Sequence, residues 1–183
     1  MKQILKLSVT LLLITAITAA ALAGVNAMTK DKIAAAKEAK TNQAILTLFP
    51  GSTDIRSLAA AEYTDTTGTV KQVFTTDNGL ALEVHPSGFG GEITLMVGIR
   101  QDRSIVGIQV ISHTETPGLG AVAAANNAAG ETFRNSFTEL PAGTSSVTVT
   151  DIDALSGATI TSQAIVDGVN AALACQILQE VAQ

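Results

Sequence analysis

Three observations predict an α+β fold, a mainly antiparallel sheet with packed helices behind one N-terminal transmembrane helix. Short runs of alternating apolar residues meet at tight turns between residues 70 and 112. A helix-periodic apolar segment closes the chain, and an uncharged apolar run opens it. The 183 residues suffice for one soluble domain and a short appendage. The apolar fraction of 46% and the mean hydropathy of +0.34 exceed what such a domain needs, which assigns the surplus to a membrane.

Leu7 to Val25 is a run of 19 uncharged residues preceded by Lys2 and Lys6. As a helix it would be about 28 Å long, close to the ~30 Å hydrocarbon core of a bilayer. A cleaved leader would use Ala21-Leu22-Ala23 or Val25-Asn26-Ala27 as its small-residue site. An uncleaved anchor is the better reading, because the run is longer than a usual leader core and continues into a helix-prone stretch. Lysines flank it on both sides (Lys2 and Lys6; Lys30, Lys32, Lys37 and Lys40), so charge alone does not orient it. The expected organisation is an anchor over residues 1–28, a membrane-proximal helix over 29–51 and a soluble domain over 52–183.

The membrane-proximal helix is expected from Thr29 to Leu48, capped by Thr29 or Asp31 and stopped by Pro50-Gly51. Residues 52–68 are polar and carry little signal. Val70–Thr76 and Leu80–His85 read as a hairpin around Asp77-Asn78-Gly79. Glu92–Arg100 and Ser104–Ser112 form a second pair around Gln101-Asp102-Arg103. A helix is expected over Leu119–Asn127, interrupted near Gly130 and followed by a segment with Phe133 and Phe137. A short strand over Val147–Thr150 and a last helix over Thr159–Gln179 complete the domain; Ile165, Val169, Ala172 and Ile177 give that helix its apolar spacing.

The net charge is −5 and the 11 basic residues form no patch, which excludes a nucleic-acid surface. One cysteine, Cys175, permits neither an intrachain disulfide nor a multi-cysteine metal or iron–sulfur site, and reads as a small buried apolar residue. His85, at a strand end before Pro86, reads as a surface residue. His113 and Glu115 would share a strand face but are too few for a metal site. Ser156 lacks the glycine two positions earlier that a nucleophile elbow needs.

Three segments remain. Gly88-Phe89-Gly90-Gly91 has three glycines in four residues, as a tight turn or a close backbone approach requires. His113-Thr114-Glu115-Thr116-Pro117-Gly118-Leu119-Gly120 leaves a strand and opens a helix, with Thr116 placed as an N-cap before Pro117. Asp153-Ala154-Leu155-Ser156-Gly157-Ala158-Thr159 ends in a small-residue turn that presents a hydroxyl at a helix N-terminus. Unpaired N–H groups and the helix dipole suit a phosphate there.

The last segment resembles the flavinylation motif of the FMN-binding domain family. Members include the G subunit of Rnf-type electron transport complexes and the C subunit of sodium-translocating NADH:quinone reductases. Glu115-Thr116-Pro117-Gly118-Leu119-Gly120 resembles the same family's second signature, about 40 residues earlier as in the family.

The resemblance implies FMN carried through a phosphoester on Thr159, set there by a separate FMN transferase. It places Glu115, Thr116, Gly118 and Leu119 beside the ring, with Gly157 and Ala158 leaving the hydroxyl open. Ser156, Thr161 and the N–H groups from Ile160 to Ser162 would hold the phosphate, and Asp153 would serve transferase recognition. Related chains often carry a tryptophan and a phenylalanine after the second signature; here only Phe133 and Phe137 stand there, and they read as core. The resemblance further implies a domain outside the cytoplasmic membrane, anchored N-in and C-out. It would relay electrons among partner subunits of an Rnf-type complex coupling ferredoxin–NAD electron transfer to ion translocation. The C subunit of a quinone reductase, another extracytoplasmic flavoprotein and a non-redox anchored binding module are the alternatives.

Overall fold

The computed structural model describes Lys2–Ile177 and divides into two compact units, Met1–Lys40 and the residues from Thr41 onward. Helix α1 (Lys2–Leu48) runs through the first unit and gives its last turns to the second. It has no boundary at Thr29 or Asp31: the Thr29 hydroxyl donates to the Val25 carbonyl at 2.9 Å, within the helix. An 18-residue window reaches a mean hydropathy of 2.1, so among the described residues one helix is long and apolar enough to cross a membrane. The hydroxyls of Thr10, Thr15 and Thr18 donate to carbonyls one turn back, which satisfies them without water.

The second unit contains strands β1 (Arg56–Ser57), β2 (Tyr63–Thr64), β3 (Val70–Thr76), β4 (Gly79–Val84), β5 (Thr94–Ile99), β6 (Ile105–Ser112) and β7 (Gln176–Ile177). Five of them form an antiparallel sheet in the order β1-β3-β4-β5-β6, while β2 and β7 make a separate ribbon. The β3–β4 connection is Asp77-Asn78, and Gly79 already pairs with Thr76. Gly79 has φ +153°, and a side chain there would collide with the Ile99 carbonyl of β5.

Both faces of the central strands are covered. Leu82, Val84, Leu95 and Val97 enter the main core with helices α2 (Ala128–Ser136) and α3 (Thr159–Ala174). Ala81 and Met96, with Phe74, point the other way. They meet Ala44, Ile45 and Leu48 from the end of α1, together with Phe49. Gly98 permits this approach, since a β-carbon there would crowd Leu48 and Phe49 at 3.3 Å. Phe133 and Phe137 are fully buried and pack edge to face, ring centroids 5.5 Å apart, so both are core residues.

Four further expectations are corrected. Leu119–Asn127 is a 3₁₀ turn over Gly120–Ala124 followed by a break, after which Asn127 caps α2 by accepting the Gly130 N–H at 2.8 Å. Arg134 from α2 donates to the freed carbonyls of Ala123 and Ala125 at 2.7 and 3.0 Å. Val147–Thr150 is no strand, because the Asn170 carboxamide satisfies Val147 from α3. It accepts the Val147 N–H at 2.7 Å and donates to its carbonyl at 2.8 Å. A 3₁₀ turn over Val149–Asp151 follows, closed by a Thr148–Asp151 capping box.

The last helix stops at Ala174, where Cys175 turns extended and Arg103 donates to the Leu173 carbonyl at 3.0 Å. Ile177 then faces Tyr63 in the β2–β7 ribbon, and the expected helical positions beyond it lie outside the described residues. His85 is not a surface residue. Its side chain is 11% exposed, wedged between the Glu83 carboxylate at 2.9 Å from Nε2 and that of Glu92 at 2.8 Å from Nδ1.

Replacing Asn170 by Ala leaves both main-chain groups of buried Val147 without partners, and should cost about 1–3 kcal/mol in the unfolding of the detergent-solubilised chain. Burial pushes the Cys175 thiol up to about 11, with the Asp65 carboxylate adding to the effect. Near neutral pH its thiolate fraction falls about a hundredfold below that of an ordinary cysteine, so alkylation should slow at least as much and recover on denaturation.

Candidate functional site

Loops from three parts of the sequence meet at one end of the main core. They are the turn before β5, the loop after β6 and the first turn of α3. A cavity of about 340 Å³ lies between them, lined by Phe89, Glu115, Thr116, Leu119, Gly120 and residues Gly157 to Thr161. Cavities of a few hundred Å³ with apolar walls and a few convergent polar groups suit small-molecule cofactors. Here the walls are Phe89, Leu119 and Ile160, which are 68%, 45% and 57% exposed around the opening.

Glu115 fastens the three loops. Its residue is 6% exposed, and Oε1 accepts the Gly90 N–H at 2.9 Å while Oε2 accepts the Thr161 hydroxyl at 2.5 Å. Its own N–H donates to His113 Nδ1 at 3.2 Å, which turns the chain off the end of β6. The glycines around it make the space: a β-carbon on Gly88 or Gly120 would collide with the Glu115 carboxylate, and one on Gly90 with the Thr114 carbonyl. The Gly88–Gly91 segment is thus a turn, closed by Gly88 N–H to Gly91 carbonyl at 2.8 Å, and also a wall of the site.

The first turn of α3 is open to ligand. Ala158 stands at the N-cap with no side-chain cap, and Thr159, the first helical residue, is exposed. The Ser162 N–H is taken by the Ala158 carbonyl at 3.0 Å, so the cradle shifts by one residue from the expected Ile160 to Ser162. Among the described residues no acceptor meets the N–H groups of Thr159, Ile160 or Thr161. Ser162 braces the turn from beneath: its hydroxyl accepts the Leu155 N–H at 3.0 Å and donates to Ala158 at 3.2 Å. The donor set and its dipole suit a phosphate, and the apolar walls suit a planar ring. The residues therefore fit FMN.

Of the residues singled out in the sequence, Glu115, Thr116, Leu119, Gly157, Ala158, Thr159, Ile160 and Thr161 converge on the cavity. Ser156 and Gly118 are exposed beside it without lining it, and Asp153 is exposed in a separate acidic depression with Glu139 and Asp151. Thr116 opens the turn through its carbonyl, which receives the N–H groups of Leu119 and Ala121 at 3.1 and 3.2 Å, but the turn has no side-chain cap and Thr116 lines the cavity instead. Thr161 spends its hydroxyl proton on Glu115. Two lining residues were missed, Phe89 and Gly120. Phe89 is the aromatic wall that Phe133 and Phe137 do not provide, and an aromatic flanked by three glycines in a turn was its available signal.

The fold and site define an FMN-binding protein, and the sequence model of the FMN-binding domain family matches residues 88–174. A model of the RnfG N-terminal region matches residues 1–48. The G subunit of the ion-translocating oxidoreductase complex of Methanosarcina acetivorans is 34% identical over 181 residues, 94% of each chain. The G subunit of the Na⁺-translocating ferredoxin:NAD⁺ oxidoreductase complex of Acetobacterium woodii is 29% identical, covering 100% of this chain and 95% of its own. The G subunit of the proton-translocating ferredoxin:NAD⁺ oxidoreductase complex of Clostridium ljungdahlii is 38% identical over 91 residues, 47% of this chain and 46% of its own. This chain belongs to the family of Rnf-type complex G subunits, membrane-anchored FMN-binding subunits of electron transport complexes.

Gly120→Ala drives a methyl group into the Glu115–Thr161 contact. It should lower the stability of the chain by about 1–3 kcal/mol, read from the shift in its thermal unfolding.

Proposed function

We propose that this chain carries FMN covalently, as a phosphoester on the Thr159 hydroxyl, and relays electrons between partner subunits of an Rnf-type complex that couples ferredoxin–NAD electron transfer to ion translocation. The observation that carries this reading is the exposed Thr159 hydroxyl on the first residue of α3, at the rim of the cavity and beside three open N–H donors. A helix cap alone would give no reason for a cavity there, or for a buried carboxylate in its wall.

Each residue then has a task. The N–H groups of Thr159, Ile160 and Thr161 hold the phosphate, and Ser156 stands near enough in sequence to add a hydroxyl. Gly157 and Ala158 keep the approach to Thr159 open for an FMN transferase, with exposed Asp153 as part of its recognition. Phe89, Leu119 and Ile160 would pack against the ring, with Glu115 and Thr116 in the same cavity wall and Gly118 beside it. FMN supplies the redox chemistry when bound; the chain supplies position and electrostatics. A covalent tether makes occupancy independent of the free cofactor pool, which suits a domain on the extracytoplasmic side of the cytoplasmic membrane.

Two of the complexes named above translocate different ions, the proton and Na⁺, yet both relatives are G subunits. That supports placing the choice of ion in partner subunits. The uncharged stretch of α1 agrees, since it offers no ionisable group to carry an ion through the bilayer.

The test is the intact mass and ultraviolet in-gel fluorescence of the chain co-expressed with an FMN transferase, beside Thr159→Ala. A gain of one FMN less water, with fluorescence lost in the variant, is expected. An unmodified chain beside an active transferase would overturn the reading and favour a non-redox anchored binding module.

A further inference from the structure

Fastening three loops does not by itself require a charge. A glutamine at 115 could accept the Gly90 N–H on its carbonyl and donate its amide N–H to the Thr161 hydroxyl, which would then accept, and an amide avoids the cost of taking a carboxylate out of water. What glutamate adds is a negative charge at a defined place. The donors that hold it, the Gly90 N–H and the Thr161 hydroxyl, are neutral. Among the described residues lining the cavity it is the one ionisable group, and no lysine, arginine or histidine shares the wall. The residue is 6% exposed, and the other residues lining the cavity are uncharged. A buried charge is screened less than an exposed one and acts on whatever fills the cavity.

We propose that Glu115 sets the reduction potential of the bound flavin, holding a fixed negative charge beside the ring and making it harder to reduce. This rests on the cofactor reading above and extends it from where FMN sits to how its potential is tuned. Electrons added to the ring without a matching proton raise the negative charge in the cavity, and the Glu115 carboxylate opposes that increase. Thr161 is the positioning residue: its hydroxyl points a partial positive charge at the carboxylate and withdraws part of the field. The two residues therefore act on the ring with opposite signs, which a purely mechanical clamp would not do.

The experiment is an equilibrium redox titration of the flavinylated full chain in detergent, comparing the natural sequence with Glu115→Gln and Thr161→Val. Glu115→Gln should favour the reduced flavin by about tenfold in the equilibrium constant, equal to about 59 mV per one-electron step. Thr161→Val keeps the charge and removes its neutralising donor, so its potential should fall. A Glu115→Gln potential unchanged within twofold in that constant overturns the inference. So does a rise of similar size in both variants, which is what loosening of the pocket alone would give. If Glu115→Gln does not fold, Thr161→Val decides by itself, a fall supporting the inference and a rise overturning it. A natural chain that takes up no flavin refutes the attachment reading together with this one. A flavinylated chain whose potential ignores Glu115 refutes this one alone.

Discussion

A carboxylate removed from water must be met by donors, and at this site they come from distant parts of the chain. Glu115 draws one from the Gly88–Gly91 turn and one from the first turn of α3, while its own main chain is held by His113 at the end of β6. Residues 25 and 46 positions away are thereby fixed against one another. The cavity exists because this network closes. Without it, the Thr114 hydroxyl would still tie the loop after β6 to the Gly90 carbonyl at 2.8 Å, but the first turn of α3 would lose its hydrogen bond to both.

The sheet makes that network possible by being rigid where it matters. Its central strands are covered on both faces, by α2 and α3 on one side and by the last turns of α1 with Phe49 on the other. The site is mounted on the ends of these elements and not within them. Its loops can specialise without disturbing the core, while α3 transmits the position of its first turn directly to the strands it packs on. Electron relay requires little motion and a fixed ring, and a site on the ends of packed elements meets that requirement.

The long apolar run, the two hairpins and the three site segments were legible in the sequence, because each has a local signature: an unbroken hydropathy window, alternation around Asp77-Asn78, and small-residue turns at strand and helix ends. What was illegible depended on partners far away. Val147 belongs to no strand, and the side chain of Asn170 takes both of its main-chain groups as a neighbouring strand would. The final helix ends at Ala174 because Cys175 turns extended and the next residues pair with Tyr63 and Thr64, two residues in a segment with no periodicity. His85 reads as a surface residue until Glu83 and Glu92 are placed on either side of it. Thr161 reads as a phosphate ligand until Glu115 is seen to claim its hydroxyl. In each case a side chain satisfied something that local pattern assigns to the backbone or to solvent.

The space around Glu115 also bears on how this sequence can drift. Gly120 leaves room for both the Glu115 carboxylate and the Thr161 hydroxyl, so the three positions share one small volume. Substitutions among neighbours in one hydrogen-bonded unit are not additive. A methyl group at 120 meets both the Glu115 carboxylate and the Thr161 hydroxyl, so it becomes tolerable only once both of them are shorter. Shortened residues at both 115 and 161, conversely, open a void that a methyl at 120 would refill. Evolution at this corner is therefore contingent on order, and lineages entering it by different first steps would find different second steps open to them.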